Sequence, residues 1–149
     1  MLIETLQRLF TRDLNKLKSE IELYRNEKNI WRTDEGIANS AGNLCLHLIG
    51  NLNAYIGAEL GNTGYIRQRD LEFSLKDIPR QELARRIEDT ILVVNQSLEK
   101  IRDIDLEQEY PVMVFDHKMS TEYFLVHLSS HFTYHLGQVN YHRRLLDIE

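Results

Sequence analysis

Apolar residues recur at intervals of three and four along four stretches of the chain, and no strand-like alternation of useful length competes with them. The first stretch carries Leu6, Phe10, Leu14, Leu17, Ile21 and Tyr24, an amphipathic helix that fades near "NEKNIW". The second, "SAGNLCLHLIGNLNAYIGAEL", runs from Ser40 to about Leu60 and is apolar on nearly every side. It closes in "GNTG", where glycine can take the left-handed cap conformation. Leu83, Ile87, Ile91, Val94, Leu98 and Ile101 mark a third helix, with Pro79 near its first turn, where a missing N–H costs little. A fourth runs from about Ser120 to Leu146, after a loop in which "YPVMVF" is at most a brief extended piece. Both prolines fall outside these stretches, so nothing breaks the helices.

These elements predict an all-α fold, a four-helix bundle whose longest connection precedes the third helix. With 149 residues the chain fits one domain, residues 1–149, able to bury a core without metals or disulfides as staples. No repeat, low-complexity tract or linker argues for a second. The formal charge is -5, with acidic and basic residues interspersed. That leaves no footprint for a nucleic-acid backbone or an anionic membrane. Charges enter from the fourth residue of "MLIETLQRLF", which excludes a signal peptide or membrane anchor there and predicts a cytoplasmic protein. The single cysteine, Cys45, agrees with a reducing compartment. It falls about 160° from His47 around the second helix and is expected to be a buried small hydrophobe.

Candidate chemistry begins with "HLSSHFTYHLGQ", which sets His127, His131 and His135 four residues apart. A stripe down the fourth helix reads Phe124, Leu128, His131, His135, Val139, His142 and Leu146, with Ser129, Ser130, Thr133, Asn140 and Arg144 opposite. His131 and His135 therefore point into the core. Residues four apart sit about 40° apart around the axis and about 6 Å along it, so both imidazoles can reach one ion. His127 and His135 are about 12 Å apart along the axis, so all three cannot share one metal, and His127 lies toward the edge of the stripe. A third ligand must come from another helix. His47 is the only histidine on the second, on a face with Ser40, Leu44, Asn51, Ala54 and Ala58 and with Gly50 beside it, which leaves room next to the ring. Three neutral imidazoles with an open position make a site of catalytic rather than structural type.

"NSAGNLCLHLIGNL" followed by "HFTYHLGQVNYHRRLL" resembles the DinB-like superfamily of metal-binding four-helix-bundle proteins, and "RDLEFSLKDIPRQEL" is similar to the segment before the third helix of many members. The resemblance covers essentially the whole chain. It places the metal ligands on His47, His131 and His135, and implies a divalent metal, often zinc or nickel, and frequently a homodimer. It also implies a thiol S-transferase or isomerase that uses a low-molecular-weight thiol; a centre that activates water instead makes a hydrolase the other expectation, in either case with a small-molecule substrate. His127 is an addition to the pattern, expected to support the ligands or to be merely polar, and His117 and His142 are expected to stand apart from the metal. Asn43 and Asn51, one turn either side of His47, are candidates to orient it or a water. Gln138 is expected to hydrogen-bond across the core, and Trp31 to plug one end of the bundle. Glu59 is the only general-base candidate offered by the second helix.

Two function classes follow. One is a metal-dependent enzyme in which the centre activates a thiol or water. The other is a non-catalytic dimeric metal-binding or stress-associated module. Leu46, Ile49, Leu52, Ile56 and Leu60 lie away from His47, and a helix apolar all round predicts that a homodimer covers that face.

Overall fold

The computed structural model describes residues 1–148, and among them all regular structure is helical. The helices are α1 (Leu2–Leu23), α2 (Ala41–Leu52), α3 (Arg69–Ser74), α4 (Arg80–Glu99) and α5 (Thr121–Leu146). α2 continues without a break through a wide π-helical stretch, Asn53–Ala58, and a last α turn, Glu59–Gly61. The extended piece after Gln108 makes only an isolated bridge, Glu109 to Ser120.

The helix starts follow from capping chemistry. Ser40 Oγ accepts from the Asn43 N–H and Ser120 Oγ from the Tyr123 N–H, both at 3.1 Å, which satisfies donors that have no partner within the first turn. At the far end of α2 the left-handed cap falls on Asn62 (φ 53°), not on the glycine before it. Gly61 is itself helical, and a Cβ there would lie 2.0 Å from Ser97 Oγ on α4. Close packing, rather than backbone freedom, requires that glycine.

α1 packs along α4 and α5, and α2 packs on the same two helices, so α1 and α2 are diagonal to each other. α3 packs on α2. Leu6, Phe10, Leu14, Leu17 and Ile21 of α1 meet Leu83, Ile87, Val94 and Leu98 of α4 and Phe124, Leu128, Phe132 and Val139 of α5 in one buried cluster. The arrangement corrects two expectations. Leu46, Ile49, Leu52 and Ile56 are buried within the chain and Leu60 is packed against the same core, because α2 has neighbours on several sides. They offer no face to a second copy. Thr133 and Asn140, expected opposite the core, reach α1: Thr133 Oγ1 donates to Asp13 Oδ2 at 3.0 Å and Asn140 Nδ2 to Glu20 Oε1 at 2.7 Å. α5 is wedged between α1 and α2, and one stripe cannot serve two neighbours.

Trp31, in a 3-10 turn (Glu27–Trp31) after α1, lies so close over the start of α2 that a Cβ on Gly42 would be 2.6 Å from its ring. Cys45 is fully buried, and burial pushes its thiol up to about 12. The thiolate is the reactive form, so the folded protein is expected not to react with a thiol-specific chromogenic disulfide at pH 8, while the unfolded chain titrates one thiol. Rapid labelling of the folded protein contradicts that placement.

Candidate metal centre

His47 rises from the buried face of α2 toward α5, and its Nε2 lies 3.3 Å from Nε2 of His131. His135, one turn further along α5, completes the group, with ring centroids 5.2 Å from His47 and 4.6 Å from His131. One nitrogen from each of the three rings lies within 4.8 Å of the other two. This cluster can hold a metal ion. It lines a cleft of about 420 Å³ that also takes in Asn51, Tyr55, Phe73, Phe115, Phe124 and His127. Tyr55 follows Asn51 into the cleft where a regular α-helical period placed Ala54; the turn there is π-helical, with more residues per turn.

Glu72, absent from the sequence-derived candidates, is the most important addition. Its Oε1 accepts from His47 Nδ1 at 3.0 Å. Arg67 grips the same carboxylate as a fork, Nε to Oε2 and a terminal nitrogen to Oε1, each at 2.9 Å. α3 is brought to this point by Asn43, whose Nδ2 donates to the backbone carbonyls of Glu72 and Leu75 at 2.9 and 2.8 Å. Asn43 thus acts on His47 through α3, not by touching the ring. Gly50 makes the approach possible: a Cβ there would sit 1.9 Å from Glu72 Oε2. The space expected beside His47 is filled by a carboxylate.

Protonation follows from these contacts. Burial pushes the Glu72 carboxyl up, but the bonds from His47 and Arg67 together outweigh it and hold it below the usual carboxylate range. A carboxylate accepts only, so His47 Nδ1 carries a proton and its Nε2 is the nitrogen turned toward the cluster. His135 is arranged alike: its Nδ1 lies 2.7 Å from Gln138 Oε1. Gln138 therefore orients a neighbour on its own helix and does not cross the core. Burial, with His135 and His47 nearby, lowers His131 to about 4, and burial lowers His135 despite the Gln138 bond. Neutral rings are what ligation requires. Nδ1 of His131 is buried with no partner.

This donor set fits a divalent ion. Two rings have Nδ1 fixed by oxygen acceptors, an arrangement common in imidazole metal sites, and nitrogens of the three rings converge. The remaining candidates lie elsewhere or play other parts. His127 packs edge-on against Phe115 and stacked on Phe124, with its ring 6.3 Å from that of His131, outside the cluster. Glu59 is exposed and does not line the cleft. His142 is buried between the Tyr24 hydroxyl (2.6 Å) and the Arg32 carbonyl (2.8 Å), and His117 pairs with Asp116 in a loop.

The family described as "Protein of unknown function (DUF1572)" matches residues 2–149. The chain belongs to the DUF1572 family. No curated protein matches it. The family name carries no activity, so the reading of this DUF1572 chain rests on its own site.

One consequence is testable without metal. His131, His135 and His142 all titrate below the ordinary histidine value of 6.5 in the folded chain. Below pH 6.5 the unfolded state then binds more protons than the folded state, so stability falls with falling pH until the folded rings also protonate, at about 4 for His131. Glu72, held low in the folded state, adds to the loss at still lower pH. Urea unfolding of the metal-free protein is expected to give a midpoint that drops steadily from pH 7 to pH 4. A flat profile contradicts the burial of these rings.

Proposed function

We propose that His47, His131 and His135 hold a divalent metal, zinc or nickel, in a single-domain four-helix bundle of the DinB-like type. The chain is then a metal-dependent enzyme acting on a small molecule, with thiol S-transfer favoured over hydrolysis. The observation that carries this reading is the convergence of three imidazoles on one side of an open cleft, two of them with Nδ1 held by an oxygen acceptor. When bound, the metal supplies Lewis acidity that lowers the pKa of a thiol or water toward neutrality.

The chain's own residues supply the rest. Glu72 fixes the His47 tautomer, and Arg67 keeps Glu72 ionised. Phe73, Phe115 and Phe124 form apolar walls that limit water in the cleft. No carboxylate lines the cleft among the described residues, and Glu72 behind it is already engaged by His47 and Arg67. Hydrolysis needs a base to take the water proton, whereas a thiol is far more acidic than water and depends less on a dedicated base, which favours thiol transfer. A low-molecular-weight thiol is the corresponding co-substrate. The direct test incubates zinc- or nickel-loaded protein with cysteine, N-acetylcysteine or glutathione and a chlorobimane acceptor. Conjugation above background, lost on chelation and restored by metal, is expected. Full metal occupancy with no turnover of any thiol or ester substrate supports the non-catalytic module instead.

A homodimer belongs to the same proposal, through a different face from the one the sequence suggested. Tyr123, Tyr134, Tyr141 and Leu145 of α5 are all more than half exposed. Light scattering is expected to give twice the 17.6 kDa chain mass, and Tyr134→Glu with Tyr141→Glu to give the single-chain mass. A wild-type monomer at micromolar concentration removes the idea.

A further inference from the structure

The cleft carries two polar groups that the metal centre does not use. Asn51, one turn beyond His47 on α2, is 6% exposed and lines the cleft, yet its Oδ1 is buried with no hydrogen-bond partner. A buried amide oxygen without a donor is costly, and native structures rarely leave one so unless something else supplies the donor. The unpartnered His131 Nδ1 does not supply it, since the two atoms are not hydrogen-bonded to each other. The second group is Arg69. Of the two arginines lining the cleft, Arg67 is committed to Glu72, whereas Arg69 has no ion pair or side-chain hydrogen bond among the described residues. Its guanidinium lies 5.4 Å from the centre of the Phe73 ring, on the cleft wall. Stacking on an aromatic face restrains a flexible side chain and leaves its donor edge free for a planar anion.

We propose that the cleft binds a small carboxylate with an apolar body and an amide N–H, the class of N-acyl amino acids. Its carboxylate pairs with Arg69, its N–H donates to Asn51 Oδ1, and its apolar portion lies against Phe73, Phe115 and Phe124. The cleft volume of about 420 Å³ suits a ligand of this size. No acidic residue lines the cleft among the described residues, so an anionic ligand meets no negative charge on its walls. The assignment deepens the reading of this cleft as a substrate site, but its two recognition groups are not metal ligands.

The test uses N-acetyl derivatives of phenylalanine, leucine and alanine, each as the free acid and as the uncharged primary amide. Binding is followed by protein-observed NMR in both zinc-loaded and zinc-free protein. At least one acid is expected to bind about tenfold more tightly than its amide, with or without zinc, as a charge-assisted hydrogen bond implies. Arg69→Gln is expected to abolish that preference without changing zinc uptake. Asn51→Leu, which keeps the helix and fills a similar volume, should weaken the acid but leave 3-phenylpropionate, which lacks the N–H, unaffected. Equal binding of acid and amide, binding of neither at millimolar concentration, or a preference that survives Arg69→Gln overturns the assignment. A preference that exists only with zinc also overturns it, since the metal is then the anion's partner. If the protein takes up no zinc but Arg69 still selects the acid, the metal reading fails and the ligand assignment stands.

Discussion

Replacing His47, His131 or His135 by alanine, one at a time, is expected to lower the affinity for zinc or nickel by more than about 100-fold, beyond the range seen for loss of an outer partner. On the proposed ligation each change would remove one of three protein bonds to the ion, since the rings that could hold it converge from α2 and α5. His127→Ala is expected to stay within about tenfold of the parent, because its ring packs on Phe115 and Phe124 and lies outside the cluster. Competition against a chromophoric chelator measures these affinities, and circular dichroism of each variant separates loss of metal from loss of fold. Full occupancy in the His47→Ala protein shows that the ligand from α2 is wrong. Loss in His127→Ala alone shifts the pair one turn toward the start of α5.

The second large effect falls on residues that touch no metal. Glu72→Gln keeps the shape of the side chain but removes the charge that anchors His47 Nδ1 and neutralises Arg67, so metal affinity should fall by about 10- to 100-fold. Gly50→Ala tests the same contact from the other side. The new methyl would lie 1.9 Å from Glu72 Oε2 and 2.6 Å from its Cδ, and the carboxylate must give way. Alanine improves helix propensity over glycine by about 1 kcal/mol. Pulling the Glu72 carboxylate away from its charge-assisted bonds to His47 and Arg67 costs about 1.5–3 kcal/mol, so a net loss of about 1–2 kcal/mol is expected. Urea unfolding of the metal-free variant reads that loss, and the chelator competition reads the accompanying drop in affinity. A Gly50→Ala protein that is more stable, with unchanged metal affinity, contradicts the placement of Glu72.

What the sequence reveals here depends on how local the controlling interaction is. The four long helices are legible because each carries its own apolar period and three of them their own start signal: Ser40, Pro79 and Ser120 stand at the caps of α2, α4 and α5. The histidine pair is legible for the same reason, since spacing along one helix fixes direction. Pairing His47 with it required only that α2 and α5 be neighbours, and they are. α3 was hidden because six residues are too few to show a period, and its position is set by Asn43 and by the missing side chain at Gly50. The segment "RDLEFSLKDIPRQEL" contains Glu72, but its spacing gives no sign that this carboxylate meets His47. The π-helical stretch that brings Tyr55 into the cleft has no signature in the apolar pattern. The apolar girdle of α2 misled about which face a partner could cover, for a related reason: composition shows that a helix is covered, not whether the cover belongs to the same chain.

The central claim is that three imidazoles, and no other side chains, bind one divalent ion. X-ray absorption at the metal edge of protein loaded with one equivalent of zinc measures this most directly. The account predicts three imidazole nitrogens at about 2.0 Å, with the multiple-scattering pattern of histidine rings, and a remaining light-atom position that exchanges with added ligand. A sulfur scatterer at about 2.3 Å, a shell of carboxylate oxygens alone, or zinc that washes off without stoichiometric binding would contradict it.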